Sequence, residues 1–152
     1  MKSKIYYLFL LITLVLSIQS CKKEDPKVVN ISAHGLNKSH NMGNDCMDCH
    51  RDGGEGTGVY FLAGTVYDSL MTNPLPDGDV KLFTGPDGTG TLKYTIPVDA
   101  LGNFYTTELI SFGSGLYPAV QKGTSIMYMS GDISQGSCNS CHGITTDKIY
   151  VY

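Results

Sequence analysis

One five-residue pattern occurs twice in this chain. It stands near the start as Cys46-Met47-Asp48-Cys49-His50 and near the end as Cys138-Asn139-Ser140-Cys141-His142. Of the five cysteines, four lie in these two units, and each second cysteine is followed at once by histidine. The fold between them must therefore carry two small cysteine-bearing units, one before and one after whatever core it builds.

The spacing selects among four chemistries. Plain disulfides suit an exported protein, but they give the trailing histidines no task. A four-thiol zinc site can use two Cys-x-x-Cys pairs, although here the pairs stand much further apart than in a ribbon or finger. A thioredoxin-like dithiol calls for a single Cys-x-x-Cys within a βαβ pattern, which the sequence lacks. Cys-x-x-Cys-His is the attachment signature of c-type haem. Two thiols bond the porphyrin edge and the adjacent imidazole becomes the proximal ligand of the iron. Two covalently attached haems are thus expected, held by Cys46, Cys49 and His50 and by Cys138, Cys141 and His142.

The chain has four histidines, His34, His40, His50 and His142, the number two bis-histidine irons would need. His40 precedes His50 by ten residues, and ten extended residues reach roughly 33 Å at most. With Gly43 between them, the segment can arch and bring His40 to the sixth position of the first iron. For the second iron the expected sixth ligand is His34, with Met129 as the alternative. Met127 and Met129 alternate around Tyr128, so at least one of them is expected to face a core.

The first twenty residues read as an export signal. Lys2 and Lys4 precede an apolar run from Ile5 to Ile18, shorter than the ~20 residues that span a bilayer. The run ends in Ser17-Ile18-Gln19-Ser20-Cys21, which resembles the lipobox of bacterial lipoproteins, with Gln19 departing from the usual small residue. The resemblance implies lipidation of Cys21 and anchoring to a membrane of the bacterial cell envelope, facing the periplasm or the cell surface. Lys22-Lys23-Glu24-Asp25-Pro26 reads as a charged tether. It is similar to the Lys plus two acidic residues that follow the lipid cysteine in some surface-exported lipoproteins. Without residues 1–20 the chain keeps nine Lys/Arg against fourteen Asp/Glu, a formal charge of −5. No basic patch points to nucleic acid.

Between the units, short runs rich in β-branched and aromatic residues alternate with Gly, Pro, Asn and Asp. "VYFLAGTVYD", "DVKLFTG", "LKYTIPV", "GNFYTTEL", "YPAVQ", "SIMYMSG" and a terminal "KIYVY" predict a mainly β fold. It is expected to be an antiparallel β-sandwich of about seven strands, with small irregular c-type haem-binding segments at both ends. The expected divisions are a lipoprotein signal peptide (1–20), a flexible tether (21–32), a first haem segment (33–58), the sandwich (59–134), and a second haem segment with a terminal strand (135–152). Gly64, Val66, Val80, Leu82, Asp99, Gly102 and Phe104 match the strand and corner pattern of the carboxypeptidase regulatory-like, prealbumin-type sandwich, which the middle of the chain resembles. That resemblance implies a scaffold and carries no catalytic residues. The glycine-rich "RDGGEGTG" after His50 lacks a strand-to-helix setting and reads as a flexible exit rather than a phosphate loop. Among Tyr60, Phe61, Phe104, Tyr105, Phe112, Tyr117 and Tyr128, most are expected in the sandwich core and some against a haem face.

The whole chain is thus similar to dihaem c-type cytochrome lipoproteins. The expected function is electron transfer with redox partner proteins of the cell envelope, by a carrier rather than a catalyst. Haem units at both ends of a compact domain would allow self-assembly for haem-to-haem relay. A haem enzyme with an open distal site, and a sandwich binding module with structural zinc or disulfide sites, are the other readings.

Overall fold

The computed structural model describes residues 30–152. The stretch expected to be a signal peptide, the expected lipid acceptor Cys21 and most of the expected tether lie outside the described residues. Seven strands follow in order: β1 (Leu62–Tyr67), β2 (Asp79–Phe83), β3 (Leu92–Pro97), β4 (Asn103–Thr106), β5 (Tyr117–Lys122), β6 (Ser125–Tyr128) and β7 (Ile149–Tyr150). Six fall inside the runs singled out from sequence, and β5 extends its run by one residue, Lys122. No α-helix occurs among the described residues, only 3-10 turns.

The strands form two sheets, β4-β1-β7 and β3-β2-β5-β6. All pairings are antiparallel except β1 with β7, where Val66 stands opposite Ile149 and Tyr67 opposite Tyr150 in parallel register. The C-terminal strand reaches β1 only after the whole sandwich has been traversed, so it is not bound to the antiparallel sense of a hairpin.

Period-two alternation explains the core. In β2, Val80 and Leu82 are buried, while Asp79, Lys81 and Phe83 are half-buried. Val80, Leu82, Ile96, Val98 and Val120 of one layer meet Leu62, Val66, Phe104 and Val151 of the other. Emptying the Phe104 site to Ala would cost roughly 3–5 kcal/mol, as for buried aromatic residues generally. The residues of the scaffold pattern have structural tasks. Asp99 Oδ1 accepts from the N–H groups of Leu101 and Asn103 at 2.9 and 3.0 Å, tightening the corner into β4. Gly102 sits at φ 81°, where a Cβ would also strike Pro74.

β1 breaks the alternation: all six of its residues are buried. Leu62 and Val66 face the core, so the other face, with Ala63, Thr65 and Tyr67, must be covered by something else. The two cysteine units and the segments beside them cover it. Asn30–Ser32, at the end of the stretch expected to be tether, belong to the fold. Ile31 bridges Thr106, and Ser32 N–H donates to Tyr105 O at 2.9 Å. They satisfy backbone groups along the free edge of β4, a common protection of sheet edges.

Candidate functional site

The two Cys-x-x-Cys-His units fold as twin turns. Cys46–Asp48 and Cys138–Ser140 are each one 3-10 turn. The His50 N–H donates to Cys46 O at 3.0 Å, and the His142 N–H donates to Cys138 O at 3.0 Å. In such a turn side chains three apart eclipse, which sets both thiols of each unit on one side. The first turn is capped by Asp45, whose carboxylate accepts from the Met47 N–H at 3.1 Å. All four cysteines are free thiols.

Both histidines are held by a single ring nitrogen. Nδ1 of His50 lies 3.0 Å from Thr57 O and 3.3 Å from Gly58 O. Nδ1 of His142 lies 2.6 Å from Asp147 O. A carbonyl only accepts, so it selects the tautomer with Nδ1 protonated and leaves the Nε2 lone pair for a metal. Backbone carbonyls commonly orient ligating imidazoles in this way. The glycine-rich segment after His50 makes this contact possible. It is a wrap around the ring rather than a flexible exit: Gly56 N–H donates to Cys49 O at 2.9 Å, and a Cβ on Gly56 would lie 2.7 Å from His50 Nδ1.

His40 faces His50, with ring centroids 6.1 Å apart and planes tilted by 38°. Two imidazoles sharing one metal, each at ~2 Å with the ring centre about 1 Å further on, have centroids about 6 Å apart. Both rings line a cavity of about 530 Å³ together with Cys46, Cys49, Tyr60 and Tyr105. Cofactor sites commonly enclose ~300–1,000 Å³. Tyr60 stacks on His50 at 4.0 Å, and Tyr105 stacks on Tyr60 at 4.9 Å. Two free thiols, a tautomer-fixed imidazole and a second imidazole opposite form the donor set that a thioether-bound, axially ligated haem requires. The residues fit the group.

His34 and Met129 stand elsewhere. His34 Nε2 lies 3.0 Å from Gly78 O and 3.1 Å from Asp79 Oδ1, at the start of β2 in the other sheet. Met129 follows β6 and its N–H donates to Pro118 O at 2.9 Å. Neither lines the small cavity that His142 borders. Of the aromatic residues, Phe104 fills the core, whereas Tyr60 and Tyr105 wall the cavity.

Burial, then the nearby Asp45 carboxylate, push the Cys46 thiol up to about 11. Burial first, then Cys46 and Asp45, push Cys138 up to about 12. A redox dithiol needs its attacking cysteine lowered, so these thiols are poorly suited to exchange chemistry. Among the described residues no three Cys, His, Asp or Glu side chains are arranged to hold one metal ion. A four-thiol zinc cage would need such a cluster. A haem iron needs only two protein ligands.

The units at the two ends of the chain are neighbours in space, both packed on β1. Ser137 Oγ lies 2.6 Å from both carboxylate oxygens of Asp45, and Asn139 Nδ2 donates to Asn44 O at 3.1 Å. The sequence leaves the distance between the units open, because strand count alone does not say whether the two ends meet; these contacts place them side by side. The parallel return of β7 beside β1 draws the second unit back to the first. Sequence reasoning also missed Thr65, Asn103 and Asn139, which link the units; only their polarity within buried surroundings could have marked them, and burial is a tertiary property.

The fold and site together define a mainly β sandwich whose three-stranded sheet carries two Cys-x-x-Cys-His turns on its outer face. No family model, curated protein or solved structure matches the chain.

Proposed function

We propose that the protein is an electron-transfer dihaem c-type cytochrome anchored at the bacterial cell envelope. The observation that carries this reading is the pairing of His40 and His50 across a cavity bordered by Cys46 and Cys49. It occurs in a chain whose second unit repeats the same turn and the same imidazole orientation. Haem iron, when bound, takes up and releases single electrons by changing between ferric and ferrous states.

The chain supplies the rest. Thr57 O and Asp147 O fix the imidazoles of His50 and His142, which would each hold an iron, and His40 would supply the second imidazole at the first. Tyr60 and Tyr105 shield one side of the cavity from water. Asp45 and Asp48 border it, and carboxylates there would favour the ferric form of a bound haem. Cys21 carries the lipid anchor, and redox proteins of the envelope are the partners. The carboxypeptidase regulatory-like sandwich serves as the scaffold.

One observation supports a second reading for the second iron alone. His34 is engaged with Gly78 and Asp79, and Met129 lies beyond β6, so an open sixth position at His142 would accept a small exogenous ligand. Absorption and EPR spectroscopy of the full chain, with pyridine-haemochrome counting, test both readings. Two covalent haems with low-spin ferric signals only are expected for the carrier. One five-coordinate haem that binds carbon monoxide supports the second reading, and a chain with no covalent haem after maturation overturns both.

A further inference from the structure

Thr65, Asn103 and Asn139 are buried polar residues on the outer face of β1 and around it, outside the ligand set. Their hydrogen bonds form a closed system. Thr65 and Asn103 are directly opposed in the β1–β4 ladder, and the Thr65 hydroxyl donates to Asn103 Oδ1 at 2.7 Å. The same hydroxyl accepts from the Gly43 N–H at 2.8 Å and from Asn139 Nδ2 at 3.3 Å. One donor and two lone pairs are all in use.

Both amides are equally committed. Asn103 Nδ2 donates to Ser39 Oγ at 2.9 Å and to His40 O at 3.3 Å. Asn139 Oδ1 accepts from the Thr65 N–H at 3.1 Å, which fixes the amide orientation. Its Nδ2 donates to Asn44 O as well as to the Thr65 hydroxyl. The segment 39–44 is therefore gripped at Ser39, His40, Gly43 and Asn44, and every grip leads to Thr65 or its two amide partners. One of those partners, Asn139, lies between the cysteines of the second unit.

We propose that Thr65, Asn103 and Asn139 are positioning residues for His40, so that a residue inside the second Cys-x-x-Cys-His unit sets the sixth ligand of the first iron. The inference rests on the haem reading above. A half-satisfied buried network is costly. Removing one member frees the His40 segment to shift, and an imidazole displaced by about 1 Å no longer ligates as it did.

The test uses the full chain after haem maturation, with Thr65→Val (same shape, no hydroxyl), Thr65→Ser (hydroxyl kept) and Asn139→Asp (same shape, a repelling oxygen facing Asn44 O). The readouts are haem count, ferric spin state, and carbon monoxide uptake by the ferrous protein, with His40→Ala as spectral reference. Thr65→Val and Asn139→Asp are expected to keep every covalent haem yet raise the His40→Ala-like signal at least about tenfold, the equivalent of ~1.4 kcal/mol. Thr65→Ser is expected to restore the wild-type spectrum. Variants that retain both haems and match wild type in spin state and carbon monoxide uptake overturn the positioning role alone. A change confined to the haem at His142 also overturns it. A wild-type chain without covalent haem removes the underlying reading instead, so the two failures are distinguishable.

Discussion

The two Cys-x-x-Cys-His units share a turn and differ in nearly everything around it. His50 is 9% exposed, stacked on Tyr60, wrapped by a glycine-rich strap and faced by His40 across a cavity of about 530 Å³. His142 is half-buried and held by Asp147 O, and it does not line that cavity but borders a separate one of about 50 Å³. The motif thus fixes the thiol pair and the imidazole that follows it. The second imidazole and the walls come from whichever strands and loops pack there.

The comparison is broken most directly by removing either unit. Replacing Cys46 and Cys49 by Ser, or Cys138 and Cys141 by Ser, should each lower the covalent haem count by one, read by pyridine haemochrome. Equal loss from both units is expected, since each carries one pair of free thiols. If either replacement leaves the count unchanged, that unit is not an attachment site.

Next in size are the sixth ligands. His40→Ala should convert the first haem from low to high spin and open it to carbon monoxide, whereas His34→Ala and Met129→Ala should leave both spectra unchanged. A spectral loss in His34→Ala would reverse the assignment made from its contacts with Gly78 and Asp79.

The glycines sharpen the contrast. Gly56→Ala places a methyl 2.7 Å from His50 Nδ1 and should cost on the order of 1–3 kcal/mol by overpacking, while weakening the low-spin signal. Gly143→Ala, after the second unit, meets only Lys148 Cγ at 3.5 Å at a φ of 86°. It should cost about 1 kcal/mol from backbone strain alone. Thermal melts of the two variants compare them directly.

The smallest effect is alkaline. In chain made without haem maturation, the Cys46 and Cys138 thiols stand above their ordinary value of 9.0, at about 11 and about 12. A raised thiol favours the protonated folded state. Its stabilisation is complete below about pH 9 and is lost as pH rises through 11 to 12. Denaturant midpoints should fall over that window, and Cys46→Ser should flatten its lower half.

Much of the scaffold is legible in the residues. Val80 and Leu82 alternate with half-buried neighbours, Pro and Gly punctuate the strands, and Asp99 with Gly102 marks the corner before β4. Those features are local, so a sequence displays them. β1 is less legible, because "LAGTVY" mixes an apolar face with Thr65 and Tyr67, and nothing nearby in sequence says that both faces are covered. Likewise Ser32 reads as tether until its N–H is found bonded to Tyr105 O.

By itself the sequence determined two copies of one Cys-x-x-Cys-His pattern and a mainly β fold of seven strands, and it put His40 only ten residues from His50. Short-range spacing and period-two alternation are properties of the chain alone. Tertiary structure decided that the units lie side by side rather than at opposite ends, because β7 returns parallel to β1. It also decided that His34 stands at β2 and that Asn139 of one unit grips the arm of the other. Those outcomes depend on which distant strands pair, and pairing is settled by burying one common core.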